Sequence, residues 1–283
     1  MKNRAAKKIL VTGASGFLAR ATIAELEKSN HIVIPCYHRQ ADPSRDIVCD
    51  IGNPSELLKI LHDVQPNIIV NLAAHVGFNN EELADLYTTN SLAPAIMADY
   101  CKKTRGHLIH ASGSIVHGFQ HSKYSQDTPL HPDNNYGKSK LIADEFIQAS
   151  GCKSAIIRFG GIFGLNGPSH LGINRAINNA AKGIVPELHG NGEGRRNYIF
   201  VEDAARIVPH LIEQKSTGIF YAGGEKLSLA TMLDQICEKL LPDEIVEKKS
   251  GPKVHDQIVM TSDELPQTLK FADCLDICRK YLV

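Results

Sequence analysis

The sequence has no excess charge of either sign: 31 Lys and Arg stand against 31 Asp and Glu, for a formal net charge of zero. Without a global basic field, nothing in the composition points to nucleic acid or an acidic lipid surface as a partner. Long hydrophobic runs are missing too. The basic start, Lys2, Arg4, Lys7 and Lys8, is followed by only three strongly apolar residues. That is too short for the core of a signal peptide or for a membrane span. Seven cysteines are scattered at positions 36, 49, 101, 152, 237, 274 and 278. Cys274 and Cys278 lie one helical turn apart, but no second pair completes a zinc set, so no metal site is expected. The expectation is of buried or free thiols in a reducing compartment, the cytoplasm. Internal repeats and low-complexity tracts are also absent.

What is present is a chain of 283 residues, 43% of them hydrophobic, enough for a substantial core and a modest second lobe. The first half alternates short apolar runs with longer amphipathic ones, the sequence form of βαβ units around a parallel sheet. Strands are expected over Lys8–Thr12, Ile32–Cys36, Asp46–Cys49, Asn67–Leu72, His107–Ala111 and Ser154–Phe159. Helices are expected over Phe17–Glu27, Pro54–Val64, Glu82–Lys103 and Tyr136–Ser150. Beyond Gly164 the alternation becomes irregular, although Leu171–Lys182 and Glu202–Gln214 read as helices. Ser228 also caps a run with Leu229, Met232, Leu233, Ile236 and Leu240 on one face. The polar stretch Phe119–Asn135 shows no clear periodicity, and a loop of that length is usually functional or mobile.

Two motifs carry chemistry. The apolar run Ile9-Leu10-Val11 breaks into Thr12-Gly13-Ala14-Ser15-Gly16-Phe17-Leu18-Ala19. A strand that ends in a glycine turn and restarts as a helix suits a phosphate, because the first N–H groups of a helix lack partners and its dipole favours an anion. Gly13 closes the turn, Gly16 admits a pyrophosphate to the backbone, and Ala19 is the third small position. Alone, this is also how an ordinary tight βα turn reads. The second motif is Tyr136-Gly137-Lys138-Ser139-Lys140. Tyr136 and Lys140, at i and i+4, share a helix face. A phenol is a usable acid toward a carbonyl, and an ammonium one turn away favours the phenolate and can donate to ribose hydroxyls.

With these motifs in place, the chain resembles the extended short-chain dehydrogenase/reductases, the NAD-dependent epimerase/dehydratase branch that handles nucleotide-sugars. The resemblance runs nearly end to end. Thr12–Ala19 resembles the family's cofactor turn, with Gly13, Ser15, Gly16, Phe17 and Leu18 as cofactor contacts. Asn71-Leu72-Ala73-Ala74 resembles the segment after its fourth strand, and Tyr136 with Lys140 matches its catalytic pair. Arg158–Gly164, with Phe159 and Ile162, resembles the strand that passes the nicotinamide. Gly190–Asp203 is similar to the substrate-phosphate segment. The resemblance implies an α/β fold, a Rossmann doubly wound parallel sheet with a smaller C-terminal substrate lobe. The expected division is residues 1–164 for cofactor, with segments such as 190–222 returning to it, and 165–283 mainly for substrate.

In such folds the residue ending the second strand reads the adenosine ribose: an acid accepts from the 2′-hydroxyl, whereas an arginine accommodates a 2′-phosphate. Here Tyr37-His38-Arg39 follows the strand, with no acid until Asp42. An arginine fork suits a phosphate dianion, so Arg39 points to NADP, with NAD the alternative. Asp50 and Ile51 match the position that contacts the adenine. The family's third catalytic group, a Ser or Thr that hydrogen-bonds the reacting carbonyl, maps onto Gly113 in His110-Ala111-Ser112-Gly113-Ser114-Ile115-Val116-His117-Gly118. Ser114 and Ser112 flank the missing hydroxyl as candidates to replace it, or as structural serines at a strand end. Losing one such donor typically costs about 10²–10³ in rate. No carboxylate stands where dehydratases carry one, which disfavours 4,6-dehydration.

Ala74-His75-Val76-Gly77 and Pro168-Ser169-His170 add a looser resemblance to GDP-fucose synthase, with Val76 and His170 as substrate candidates. His170 also reads as an ordinary loop imidazole, one of thirteen histidines. Arg196 resembles the arginine that grips a nucleotide diphosphate, and Asn174 is a further substrate candidate. The leading expectation is an NADP-dependent reductase of a keto nucleotide-sugar, with a homodimer as the candidate assembly and the oligomeric state left open. The alternatives are an epimerase that retains NAD(P) and a non-catalytic cofactor-binding regulatory protein, the last motivated by Gly113.

Overall fold

The computed structural model describes residues 5–39, 47–77 and 82–282. In chain order, its elements begin β1 (Lys8–Thr12), α1 (Phe17–Leu26), β2 (Ile32–Tyr37), β3 (Ile47–Val48), α2 (Pro54–Val64) and β4 (Ile68–Asn71). They continue with α3 (Leu83–Tyr87), α4 (Ala93–Thr104), β5 (His107–Gly113), β6 (Lys123–Tyr124), α5 (Asn135–Ser150), β7 (Lys153–Phe159) and β8 (Ile162–Phe163). Then come α6 (Gly172–Ala180), β9 (Glu187–His189), β10 (Arg195–Arg196), β11 (Ile199–Phe200), α7 (Val201–Gln214), β12 (Gly218–Ala222) and β13 (Leu227–Ser228). The last are α8 (Leu229–Leu240), β14 (Glu247–Lys249), β15 (Ile258–Val259) and α9 (Phe271–Lys280).

Two compact units are present. The first lies within Met1–Gly118, Pro129–Arg158 and Ala205–Phe220. It is built on a seven-stranded sheet of order β12-β7-β5-β4-β1-β2-β3. The pairings β1–β2, β1–β4, β4–β5 and β2–β3 are all parallel. Strand order reverses between β1 and β4, which makes a crevice outside their C-terminal ends, Thr12 and Asn71, the place where such sheets bind ligands. Ile9, Leu10 and Val11 and their neighbours Ile69 and Val70 are fully buried, as central parallel strands covered on both faces must be. Leu57, Leu61, Met97, Leu108 and Ile147 complete the core from the flanking helices and β5.

Local chemistry fixes the helices. Asn53 caps α2, its side chain accepting from Ser55 N and Glu56 N, and Pro54 occupies the first turn where its missing N–H costs nothing. Asn134 caps α5 by accepting from Gly137 N at 2.8 Å. The single helix expected over Glu82–Lys103 is instead interrupted by a π-helical turn at Thr88–Leu92. The extra residue turns Asn90 and Ser91 inward. Asn90 exchanges hydrogen bonds with the backbone of His75 and donates to Ser139 Oγ, and Ser91 donates to Ser139 O. Paying off two buried polar side chains, rather than preserving helical period, decides the backbone here.

The second unit lies within Phe119–Thr128, Phe159–Ala204 and Tyr221–Val283. Phe163 packs against Phe200 and Phe271, with ring centroids 5.5 and 4.9 Å apart. Asn197 donates to Val259 O and accepts from Val259 N, which seats β15. Within the stretch read as an aperiodic loop, Lys123–Tyr124 pairs with Ile258–Val259. A two-residue strand is too short to leave a period. Cys274 and Cys278 lie on the buried face of α9, and all seven cysteines are free. Among the described residues no His, Cys, Asp or Glu group suits a metal ion, and no helix is long and apolar enough to cross a membrane.

Candidate functional site

The glycine turn sits at the switch point of the sheet. Gly13 has φ +71°, and a Cβ there would stand 2.7 Å from Ala73 Cα, so both the conformation and the close approach of the β4 loop demand glycine. Gly16 N bonds Gly13 O at 2.8 Å and closes the turn. Gly16 then caps α1 with no side chain, leaving the N–H groups of Phe17, Leu18 and Ala19 without an intrahelical acceptor. Ser15 and Gly16 are exposed, Phe17 and Leu18 half-buried, and Ala19 is buried against the sheet. Across the crevice, Leu72 and Ala73 are half-buried, and Ala74 and Val76 exposed. An oriented, uncapped set of N–H donors beside a glycine-lined gap fits the pyrophosphate of a dinucleotide.

Tyr136 and Lys140 lie one turn apart on α5, followed one turn later by Asp144. Tyr136 is half-buried, and its hydroxyl has no hydrogen-bond partner among the described residues. Burial pushes the phenol up to about 12. The Lys140 ammonium donates to Ala111 O at 2.9 Å. Burial lowers Lys140 to about 8, opposed by Asp144. The ammonium is thus tied to β5, and burial outweighs the phenolate stabilisation expected from the spacing.

Behind the pair runs a buried polar layer that the motifs did not reveal. Asp144 is fully buried and pairs with Arg158 Nε at 3.0 Å. Desolvation raises its carboxyl, against the pull of Arg158, Ser112 and Lys140. Thr12 donates to Asn71 Oδ1 at 2.6 Å, and Asn71 reaches His110 Nδ1 at 3.1 Å, linking the C-terminal ends of β1 and β4 to the middle of β5. Burial and the Lys140 charge hold His110 well below the usual imidazole range, so it is neutral. The signal was present in the sequence: polar residues at the ends of apolar strands, and Asp144 in the i, i+4, i+8 series with Tyr136 and Lys140.

Because Lys140 titrates at about 8 when folded and at 10.5 when free, the unfolded chain holds the proton more tightly between those values. Stability therefore rises with pH across that window, and at neutral pH the buried ammonium is a cost. Lys140→Met is expected to raise the unfolding free energy at neutral pH by up to roughly 3 kcal/mol, at 1.36 kcal/mol per unit. Urea titrations of both proteins should show the gap narrowing as pH rises from 8 toward 10.5. A variant less stable than its parent at neutral pH would contradict this.

The two serines beside Gly113 are held differently. Ser112 is buried beside Asp144. Ser114 opens a 3-10 turn, Ser114–His117, is half-buried, and its hydroxyl has no hydrogen bond among the described residues. A Cβ on Gly137 would stand 3.0 Å from Ile115 O, so this turn packs directly on the start of α5. At the end of β2, His38 and Arg39 are exposed, and His38 Nε2 is 3.8 Å from Asp50 Oδ1. Ile51 is buried in the core. Asp42 and Asp46 lie outside the described residues.

In the second unit, Phe159 is buried and Ile162 half-buried. Asn174 is fully buried, with Oδ1 accepting from Gly164 N and Nδ2 donating to Ile162 O and Pro168 O. Its amide is thus occupied in organising the loop that carries the exposed His170. Arg196 Nη1 donates to Arg195 O and to His255 O at 2.7 Å, while Arg195 pairs with Asp256 at 2.7 Å.

The family model described as "NAD dependent epimerase/dehydratase family" matches residues 9–223, well over half of the chain. The chain belongs to the NAD-dependent epimerase/dehydratase family. Among curated relatives, a dTDP-4-dehydrorhamnose reductase from Burkholderia thailandensis is 26% identical over 221 residues, covering 76% of this chain and 70% of the relative. A probable dTDP-4,6-dihydroxy-2-methyloxan-3-one 4-ketoreductase from Streptomyces antibioticus is 26% identical over 64% of this chain, which spans 61% of that relative's length. The methionine adenosyltransferase 2 subunit beta of Rattus norvegicus is 27% identical over 57% of this chain and 49% of its own. Among solved structures, the dTDP-4-dehydrorhamnose reductase of Bacillus anthracis in complex with NADP superposes with a TM-score of 0.80 at 16% identity, covering 98% of this chain and all of its own. The WbmH enzyme of Bordetella bronchiseptica, in complex with NAD+, gives 0.82 at 17%, covering 97% and 98%. Solved structures of this fold thus hold either nicotinamide dinucleotide.

Proposed function

We propose that this chain is an NADP-dependent reductase of a keto nucleotide-sugar, with Tyr136 as the proton donor. The observation that carries the proposal is a half-buried phenol with no hydrogen-bond partner among the described residues, one turn from Lys140, in the same unit as the uncapped glycine turn. Gly13, Ser15, Gly16, Phe17 and Leu18 would hold the pyrophosphate, with Leu72, Ala73 and Ala74 across the crevice. Lys140 would hold the ribose, and Arg39, Asp50 and Ile51 the adenosine end. When bound, the nicotinamide supplies a hydride to the carbonyl carbon. At about 12 the phenol keeps its proton at neutral pH, so Tyr136 has it to give to the carbonyl oxygen. The phenolate then left is stabilised by the Lys140 ammonium. Reductase is preferred to epimerase because relatives in the curated set carry reductase names.

The Ser/Thr slot at Gly113 is filled by extended backbone without a side chain. Ser114, on the turn against α5, is assigned the carbonyl hydrogen bond, and Ser112 serves Asp144. Ser114→Ala is expected to lower kcat by about 10²–10³, the usual cost of one such donor, and Ser112→Ala far less. Equal losses, or a gain in turnover from Gly113→Ser, would contradict that assignment.

Arg39, exposed at the end of β2, is assigned the 2′-phosphate. NADPH is expected to bind more tightly than NADH in direct titration, and Arg39→Ala to erase most of the difference. Equal affinities in the unmutated protein would favour an epimerase that retains NAD. A second reading, a cofactor-binding regulatory subunit, is favoured by Gly113 and by the relative named as a subunit. Turnover separates the two.

A further inference from the structure

At the opposite end of the same sheet, the first unit contains a cleft of about 950 Å³. It is lined by residues that precede or open the strands: Lys7 ahead of β1, His31 ahead of β2, Asn67 ahead of β4, and His107 and Lys153 at the first positions of β5 and β7. β1 rises about 3.3 Å per residue, so its length sets this cleft roughly 15 Å from the glycine turn. Four cations line it, Lys7, Arg105, Lys153 and Lys215, beside the imidazoles of His31, His62 and His107 and against the single carboxylate of Glu213. Among the described residues, none of the four cations has an ion-pair partner. His31 and His107 are both held below their ordinary range, first by burial and then by Lys7, with Lys153 adding to His107.

Helix ends offer one ordinary explanation, because cations complement the negative end of a helix dipole. Three helices do end here, α2 at Gln65, α4 at Arg105 and α7 just before Lys215. Each helix end supplies about half a negative charge, so three of them leave the cations in excess even with Glu213 counted. Dipoles also give no reason for Lys7 and Lys153, which precede or open strands. A further observation concerns the backbone. Gln65, Arg105 and Lys215 adopt positive φ, at 50°, 56° and 55°. Glycine takes such positions with less strain. All three instead carry long polar side chains on the rim of the cleft.

We propose that this cleft is a second ligand site, taking the polyphosphate group of a small anion. Its volume suits a ligand of nucleotide size, and Leu61, Ile212 and Tyr100 offer an apolar wall beside the charge. The proposal does not depend on the reductase assignment, since no residue of the cleft belongs to the cofactor turn or to the Tyr136 helix.

The test is calorimetric titration with inorganic triphosphate and, separately, with ATP, with NADPH present to occupy the cofactor crevice. Both probes are expected to bind, more weakly as salt rises. The double variant Arg105→Glu, Lys153→Glu, both changes at exposed positions, should bind triphosphate at least about tenfold more weakly, with NADPH affinity unchanged. Tighter binding of ATP than of triphosphate would place a base or ribose on the apolar wall. Equal binding would assign recognition to the phosphate chain alone. Failure of both probes to bind at millimolar concentration, or equal affinity in the double variant, would overturn the proposal.

Discussion

Tyr136→Phe is expected to lower reduction of a keto nucleotide-sugar by about 10²–10⁴, the range for a positioned acid, while leaving NADPH affinity close to unchanged. The ring keeps its packing and α5 keeps its cap, because the hydroxyl has no protein partner to lose among the described residues. That lack of a partner is what makes the variant informative, since a structural tyrosine would reveal itself by a change in stability. Stopped-flow or steady-state loss of NADPH absorbance, alongside a cofactor titration, measures both quantities. Turnover preserved in the Phe variant would remove Tyr136 from the chemistry.

The largest expected effect on stability is at Arg158. Its guanidinium and the Asp144 carboxylate are both almost fully buried and 3.0 Å apart. Removing one member of such a pair leaves an uncompensated charge and typically costs about 3–5 kcal/mol. Arg158→Met is expected to lose that much in urea unfolding at neutral pH. Without Arg158 the folded-state pKa of Asp144, already raised by burial, rises further. A raised carboxyl binds its proton more tightly when folded, so the variant should recover stability as pH falls. Replacing both partners, Asp144→Leu with Arg158→Met, should restore much of the loss. A single variant as stable as the parent would mean that the pair carries no net burden.

Much of this architecture was legible in the sequence, and the reasons are local. β1 and α2 have the expected bounds because each is framed by an unambiguous signal, the glycine turn after Thr12 and the Asn53-Pro54 start. Long amphipathic or wholly apolar runs identify themselves. The π-helical turn did not, because it follows from long-range hydrogen bonds of Asn90 and Ser91 to His75 and Ser139. β6 and β15 are two residues each and exist only through one another. At the site, the glycine turn and the Tyr136/Lys140 pair were readable from spacing. The layer behind them, Asn71, His110, Asp144 and Arg158, left only traces, polar residues near strand ends and Asp144 at i+8 from Tyr136, since its members are far apart in sequence and meet only once the sheet has formed. The same holds for Asn174 and Arg196, whose partners are main-chain carbonyls and an amide that no side-chain pattern announces.

The most direct test of the proposed activity is isotopic. NADPH carrying deuterium at the transferred position of the nicotinamide is incubated with the unmutated protein and a 4-keto nucleotide-sugar, and the sugar product is examined by mass spectrometry and NMR. The proposal predicts that each NADPH consumed leaves its deuterium on the carbinol carbon of the product. Tight NADPH binding with no consumption, or a product altered in configuration with the cofactor returned unchanged, would contradict it.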